Sequence, residues 1–113
     1  MTFKKLSLSF GDVILINFDP IIGREQGGLR PAVVISEELY YDKTGLVIVC
    51  PMTSQIKTFP LHVNVHFNGR AGQVLSQHIR TLDFRKRYGK KIGRLEDHEI
   101  LSVKSILKAI TGL

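Results

Sequence analysis

The sequence predicts a mainly β fold with α: a small curled β-barrel with a C-terminal helix packed on it. Two periodicities and one punctuation pattern predict it. Short β-branched apolar runs, DVILINF, AVVI and LVIV, are bounded by Gly, Pro, Asp or Asn, the residues that end strands. LHVNVHF alternates apolar and polar side chains with period two, as a half-buried strand does. Near the end, EILSVKSILKAI changes to helical spacing. A chain of 113 residues suits one domain, spanning 1–113, and a single modest core.

Taken in order, residues 12–18 form the first strand, opened by Gly11 and closed at Asp19-Pro20. Its near-continuous hydrophobicity implies burial on both faces or closure in a barrel. Residues 32–35 are a second buried strand. Ser36 then offers an N-cap and Gly45 a stop, which makes a one- or two-turn helix or a wide loop. Residues 46–49 are a third buried strand, and Pro51 limits its ladder. Within residues 61–67, Leu61, Val63, Val65 and Phe67 point one way and His62, Asn64 and His66 the other; Asn68-Gly69 supplies the following turn. Residues 73–75 and 79–82 read as short strands joined across Gln77-His78, and 91–95 as another. From Asp97, helical spacing puts Ile100, Val103, Leu107 and Ile110 on one face, widened by Leu101 and Ile106, until Gly112 stops the helix.

Composition narrows the function. The chain is 43% hydrophobic and 23% charged, as folded proteins are. MTFKKLSLSFGD is too poor in apolar residues for a signal-peptide core, and no later segment approaches a membrane span of about 20 apolar residues, so a cytoplasmic protein is expected. A net charge of +6 points to a polyanionic partner. Residues 80–94, RTLDFRKRYGKKIGR, hold seven of the sixteen basic residues, among them Arg80, Arg85, Lys86 and Arg87. With Phe84 and Tyr88 between the cations, the run suits contact with a nucleic acid, aromatic faces stacking on unpaired bases; a solvated turn is the plainer alternative.

Metal and nucleophile chemistry find little support. His62 and His66 are four apart, but on a strand that separates them by about 13 Å, too far for one ion, and a solvated polar face is their plainer place. Cys50 closes LVIVC and reads as a small buried hydrophobe without a nearby base. The glycines of GREQGG lack the Lys-Ser/Thr of a phosphate-binding P-loop.

The loop GREQGGLRP, 23–31, remains. Its glycines allow close approach to a ligand, and Pro31 biases Arg30 towards an extended backbone. Glu25 and Arg30 can converge on one phosphate, the carboxylate taking a proton from a 2′-hydroxyl and the guanidinium bracing the phosphorane. Spacing alone leaves an exposed ion pair, worth about 0–1 kcal/mol, equally open.

GDVILINFDPIIGREQGGLRPAVVIS resembles the opening block of the MazF/PemK family of toxin ribonucleases, with its G-x-E-Q-x-G-x-R-P loop. KTGLVIVCPMTSQIKTFPLHV and QHIRTLD are similar to later family segments, so the likeness covers nearly the whole chain. It implies an SH3-like barrel with a C-terminal helix, acting as a homodimer on single-stranded RNA. It also implies metal-independent, sequence-specific cleavage, no cofactor, and restraint by an antitoxin with an acidic tail. By position, Glu25 resembles the family's general base, Arg30 the residue that stabilises the transition state, and Thr53 the threonine that binds the scissile phosphate. Gln26, Gln77 and Arg80 fall among its RNA-contacting segments. Many members have Asp-Gln where this chain has Gln77-His78. An amide is no base, so the acid's role is dispensable or has moved to His78, a residue type that exchanges protons near neutral pH. A gyrase-poisoning toxin of the same fold, or a silent RNA- or partner-binding module, are the rival readings.

Overall fold

The computed structural model describes residues 6–19 and 28–113. These form β1 (Asp12–Asn17), β2 (Leu29–Val34), α1 (Glu38–Thr44), β3 (Leu46–Thr53), β4 (His62–Phe67), β5 (Arg70–Leu75), β6 (Arg80–Asp83), β7 (Lys90–Arg94) and α2 (Asp97–Thr111). The strands make one curled antiparallel sheet, ordered β4-β5-β3-β2-β1-β7, with β6 also on β3. The expected mainly β fold with a C-terminal helix is what forms.

β3 holds the sheet together. Leu46 to Val49 pair with β6, while Met52 and Thr53 pair with β5. Pro51 does not end this strand, contrary to expectation. Ile35 N–H donates to Ile48 O, so the alternating ladder turns the Pro51 nitrogen away from β2. There it falls in the gap after β6 has stopped pairing and before β5 begins, and no donor is missed. Pro31 repeats the device in β2: Phe18 N–H donates to Gly28 O, which turns Pro31 away from β1. β2 therefore starts at Leu29, earlier than residue 32, and brings Arg30 into the sheet.

The curl yields two cores. Ile14, Ile16, Phe18, Val34, Val47, Val49 and Phe84 fill one face. Val13, Val33, Cys50, Met52, Val63, Val65, Ile100 and Val103 fill the other, beneath α2. Gly93 lets β7 cross Phe67, since a Cβ there would stand 2.6 Å from the ring. Asn68 and Gly69 take positive φ (50° and 75°), as the expected tight turn demands.

Three local expectations are corrected. Ser36 is no N-cap: its Oγ accepts the Ile48 N–H at 3.0 Å, and Glu37 precedes α1. Leu101 is 66% exposed and does not widen the packed face of α2, whereas Ile100 and Val103 are buried. Ile110, placed on the same face, is 38% exposed and outside the packed core. Glu99, unremarked in the sequence, is buried and accepts the N–H groups of Glu96 (2.9 Å) and His66 (2.7 Å), capping the helix and tying it to β4.

Candidate active site

Strand alternation selects the side chains that face the site. Arg30 shares a face with Ala32 and Val34, and Thr53 with Val47 and Val49, all members of the first core. Both half-buried residues stand where that face runs past the packed interior. The face continues sideways: Thr53 is opposite Gln73, Gln73 opposite Asn64, and Leu75 opposite His62.

A cleft of about 570 Å³ opens on this face, bordered by Arg30, Thr53, Phe59, His62, Gln77 and His78. Gln77 and His78 enter it from a turn closed by His78 N–H on Leu75 O. Arg30 and Thr53 also border a second hollow of about 500 Å³, which contains Phe67, Arg70 and Ile92. With Ser54, which also lines both, the pair forms the divide between the two spaces. A phosphate held there would leave its flanking nucleotides on either side.

Glu25 and Gln26 lie outside the described residues, but the root of their loop is defined. Gly28 N–H donates to Asp19 Oδ1 at 2.8 Å, two residues before Arg30. Part of the basic segment secures the same root. Arg80 donates to Phe18 O (2.6 Å) and lies over the Phe18 ring, 5.5 Å from its centroid. Arg87 donates to Asn17 O (3.2 Å) and Asp19 O (2.5 Å). Arg85 and Lys86 border a different hollow, with Tyr41, Asp42 and Asp83. Of the sequence-nominated residues, the cleft thus gathers Arg30, Thr53, Gln77 and His78, and not the arginines and lysine of the basic run.

Sequence reasoning missed three residues. Alternation puts His62 on a solvated polar face, yet it is half-buried between Gln73 and Gln77. Gln73 is 3% exposed and binds both backbone groups of Lys57, which pins the loop 54–60 over the sheet. Phe59 leans on the His62 ring at 4.8 Å. A lone amide beside the apolar residues of GQVL was the available signal. Cys50 is buried as expected, and burial pushes its thiol up to about 12, which leaves no thiolate for catalysis. Among the described residues no three His, Cys, Asp or Glu gather to hold a metal, and no helix is long and apolar enough to cross a membrane.

Comparison with known proteins adds independent findings. The family model described as "PemK-like, MazF-like toxin of type II toxin-antitoxin system" matches residues 9–111. The Endoribonuclease toxin MazF of Escherichia coli (strain K12) is 35% identical over 102 residues, 90% of this chain and 92% of that one. The crystal structure of MazF (Form-I) from Deinococcus radiodurans superposes with a TM-score of 0.88 at 34% identity, over 96% of this chain and all of that one. MazE-MazF (Form-II) from the same organism gives 0.80 at 30% identity, over 96% and 99%.

Proposed function

The chain belongs to the PemK-like, MazF-like toxin family of type II toxin–antitoxin systems, and from that premise we propose how it acts as an endoribonuclease. Its substrate is single-stranded RNA, cut at particular sequences without a metal ion. Glu25 takes the proton of a 2′-hydroxyl, and O2′ attacks the adjoining phosphorus. The bond to the 5′ oxygen breaks, that oxygen takes up a proton, and the products are a 2′,3′-cyclic phosphate and a 5′-hydroxyl. Arg30 braces the charge on the phosphorane, and the Thr53 hydroxyl holds a phosphate oxygen. His78 borders the same cleft and is a second candidate for moving a proton.

The observation that carries this reading is the divide formed by Arg30 and Thr53 between two hollows, each with an aromatic side chain, Phe59 or Phe67. A cation and a hydroxyl at the phosphate, with a stacking surface on each side, suit an unpaired strand. The root of the Glu25 loop lies two residues from Arg30, which supports Glu25 as their partner.

The protein works in the cytoplasm as a homodimer, restrained by a cognate antitoxin with an acidic tail. MazE-MazF complexes of the Deinococcus relative support an antitoxin partner. An apolar hollow walled by Phe10, Ile35, Ile48, Ile79 and Leu107 is a surface a second copy would cover.

Digestion of a mixed single-stranded RNA in EDTA tests the proposal. Cutting at a small set of sequences is expected. RNA that is bound but left intact would identify a non-cutting binder and overturn it.

A further inference from the structure

We propose that His62 is a positioning residue that sets base choice: it orients the Gln77 amide and, with Phe59, forms the wall of a nucleobase subsite beside Arg30 and Thr53. The inference rests on the ribonuclease reading and deepens it.

The argument starts from backbone groups whose polarity is fixed. Gln73 Nε2 donates to Lys57 O at 2.9 Å, and Gln73 Oε1 accepts from Lys57 N–H at 3.1 Å. A carbonyl cannot donate and an amide N–H cannot accept, so this amide has one orientation. Nε2 also donates to Asn64 Oδ1 at 2.8 Å, which agrees with that orientation. The second partner of Gln73 Oε1 is His62 Nδ1 at 3.0 Å, so Nδ1 carries a hydrogen. In the neutral ring Nε2 is then an acceptor. It faces Gln77 Nε2 at 3.1 Å, which donates to it. Polarity therefore passes from Lys57 through Gln73 and His62 to Gln77.

This orientation settles what Gln77 can offer a ligand. Its Oε1 is buried and has no hydrogen-bond partner among the described residues. One N–H of Nε2 is used by His62. The other N–H is what the amide has left for the cleft. Phe59, 44% exposed, leans against the His62 ring at a tilt of 58° and supplies an apolar face. The ligand that fits is an unpaired base, stacked on Phe59 and presenting a carbonyl oxygen or unprotonated ring nitrogen to Gln77.

Two variants test this on a pool of RNAs randomised around a wild-type cleavage site, with rates read by sequencing the products. His62→Phe keeps an aromatic ring against Phe59 but releases Gln77. It should lower the preference at one position near the cut by about tenfold, leaving other positions as selective as before. His62→Gln, whose amide can both donate to Gln73 and accept from Gln77, should restore part of that preference. Gln77→Glu replaces the donor with an acceptor and should shift the same position towards bases carrying an amino group. A uniform loss of rate with unchanged preference in both His62→Phe and Gln77→Glu would overturn the inference while leaving the ribonuclease reading intact. No cutting by the wild-type protein would overturn that reading and this one together.

Discussion

At the scale of single residues, the cleft joins one cation, Arg30, to one hydroxyl, Thr53, and the two should fail differently. Arg30→Ala removes the charge proposed to meet the phosphorane and should slow cleavage by about 10²-fold or more, on the scale of oxyanion donors. Thr53→Ala should cost less, because the charge of Arg30 stays in place and only the hydroxyl's own bonds are lost, the one to the phosphate and the one it accepts from the Gln55 N–H. Glu25→Gln should leave RNA affinity nearly unchanged while cleavage slows, since shape survives and basicity does not. Single-turnover rates beside equilibrium binding separate these outcomes, and wild-type rates in all three variants would move the active site elsewhere. Cys50 provides a control on burial. Its thiol is raised from an ordinary value of about 8.5 to about 12, so folding favours the protonated form. The stability it contributes is complete below about pH 8.5 and is lost as pH rises towards 12. Iodoacetamide at pH 8 should label it quickly only after denaturation; rapid labelling of the native protein would contradict its placement. What the sequence showed at this scale was residue chemistry. Arg30 and Thr53 were legible because a motif carries them. His62 was not, because period-two alternation tells which face a side chain takes, but not that Gln73 draws the loop 54–60 over that face.

Among the elements, close packing of β3 on β5 sets where Thr53 stands. Gly72 lies against this strand, and a Cβ added to it would stand 2.8 Å from the Thr53 backbone oxygen. Gly72→Ala must therefore move one strand or the other, at a cost of about 1–3 kcal/mol, and should slow cleavage beyond what its stability loss explains. Gly69→Ala is the comparison: it strains a positive φ of 75° but meets no neighbouring atom, so about 1–2 kcal/mol of stability should be lost with cleavage by the folded protein retained. Urea unfolding and cleavage rates on the same samples distinguish the two; equal effects on cleavage would show that Thr53 does not depend on this close approach. Strand identity was visible in the sequence because apolar periodicity reports burial directly. Strand ends were not. Pro51 reads as a limit on its ladder, and the second strand reads as starting only after Pro31, because a proline's tolerance depends on which neighbour is paired at that register, a property of the assembled sheet. Ser36 likewise sits where a cap belongs, yet a strand residue twelve positions away takes its oxygen.

Over the whole molecule, the net charge of +6 sets how RNA is attracted, but its cations have separate tasks. Arg85 and Lys86 lie away from the cleft, whereas Arg80 and Arg87 grip the carbonyls at the end of β1. The charge run was plain in the sequence. Its division was not, since the carbonyl acceptors lie 62 to 70 residues away along the chain. Replacing Arg85 and Lys86 with alanine should weaken RNA binding evenly across sequences and flatten its dependence on salt, by about 0.7 in the log–log slope for each phosphate no longer neutralised. Arg87→Ala should instead slow cleavage of bound RNA, by loosening the root of the Glu25 loop. An unchanged slope in the double variant would assign those side chains to solvent alone. The proposed reaction turns on a 2′-hydroxyl nucleophile at a phosphate held between the two hollows, and one substrate isolates that atom. An oligonucleotide with a single 2′-deoxy residue on the 5′ side of the cut, digested in EDTA beside its all-ribose twin, should remain intact at that bond. The twin should yield a 2′,3′-cyclic phosphate and a 5′-hydroxyl. Cutting at the deoxy position, or activity that EDTA abolishes and a divalent ion restores, would contradict the mechanism.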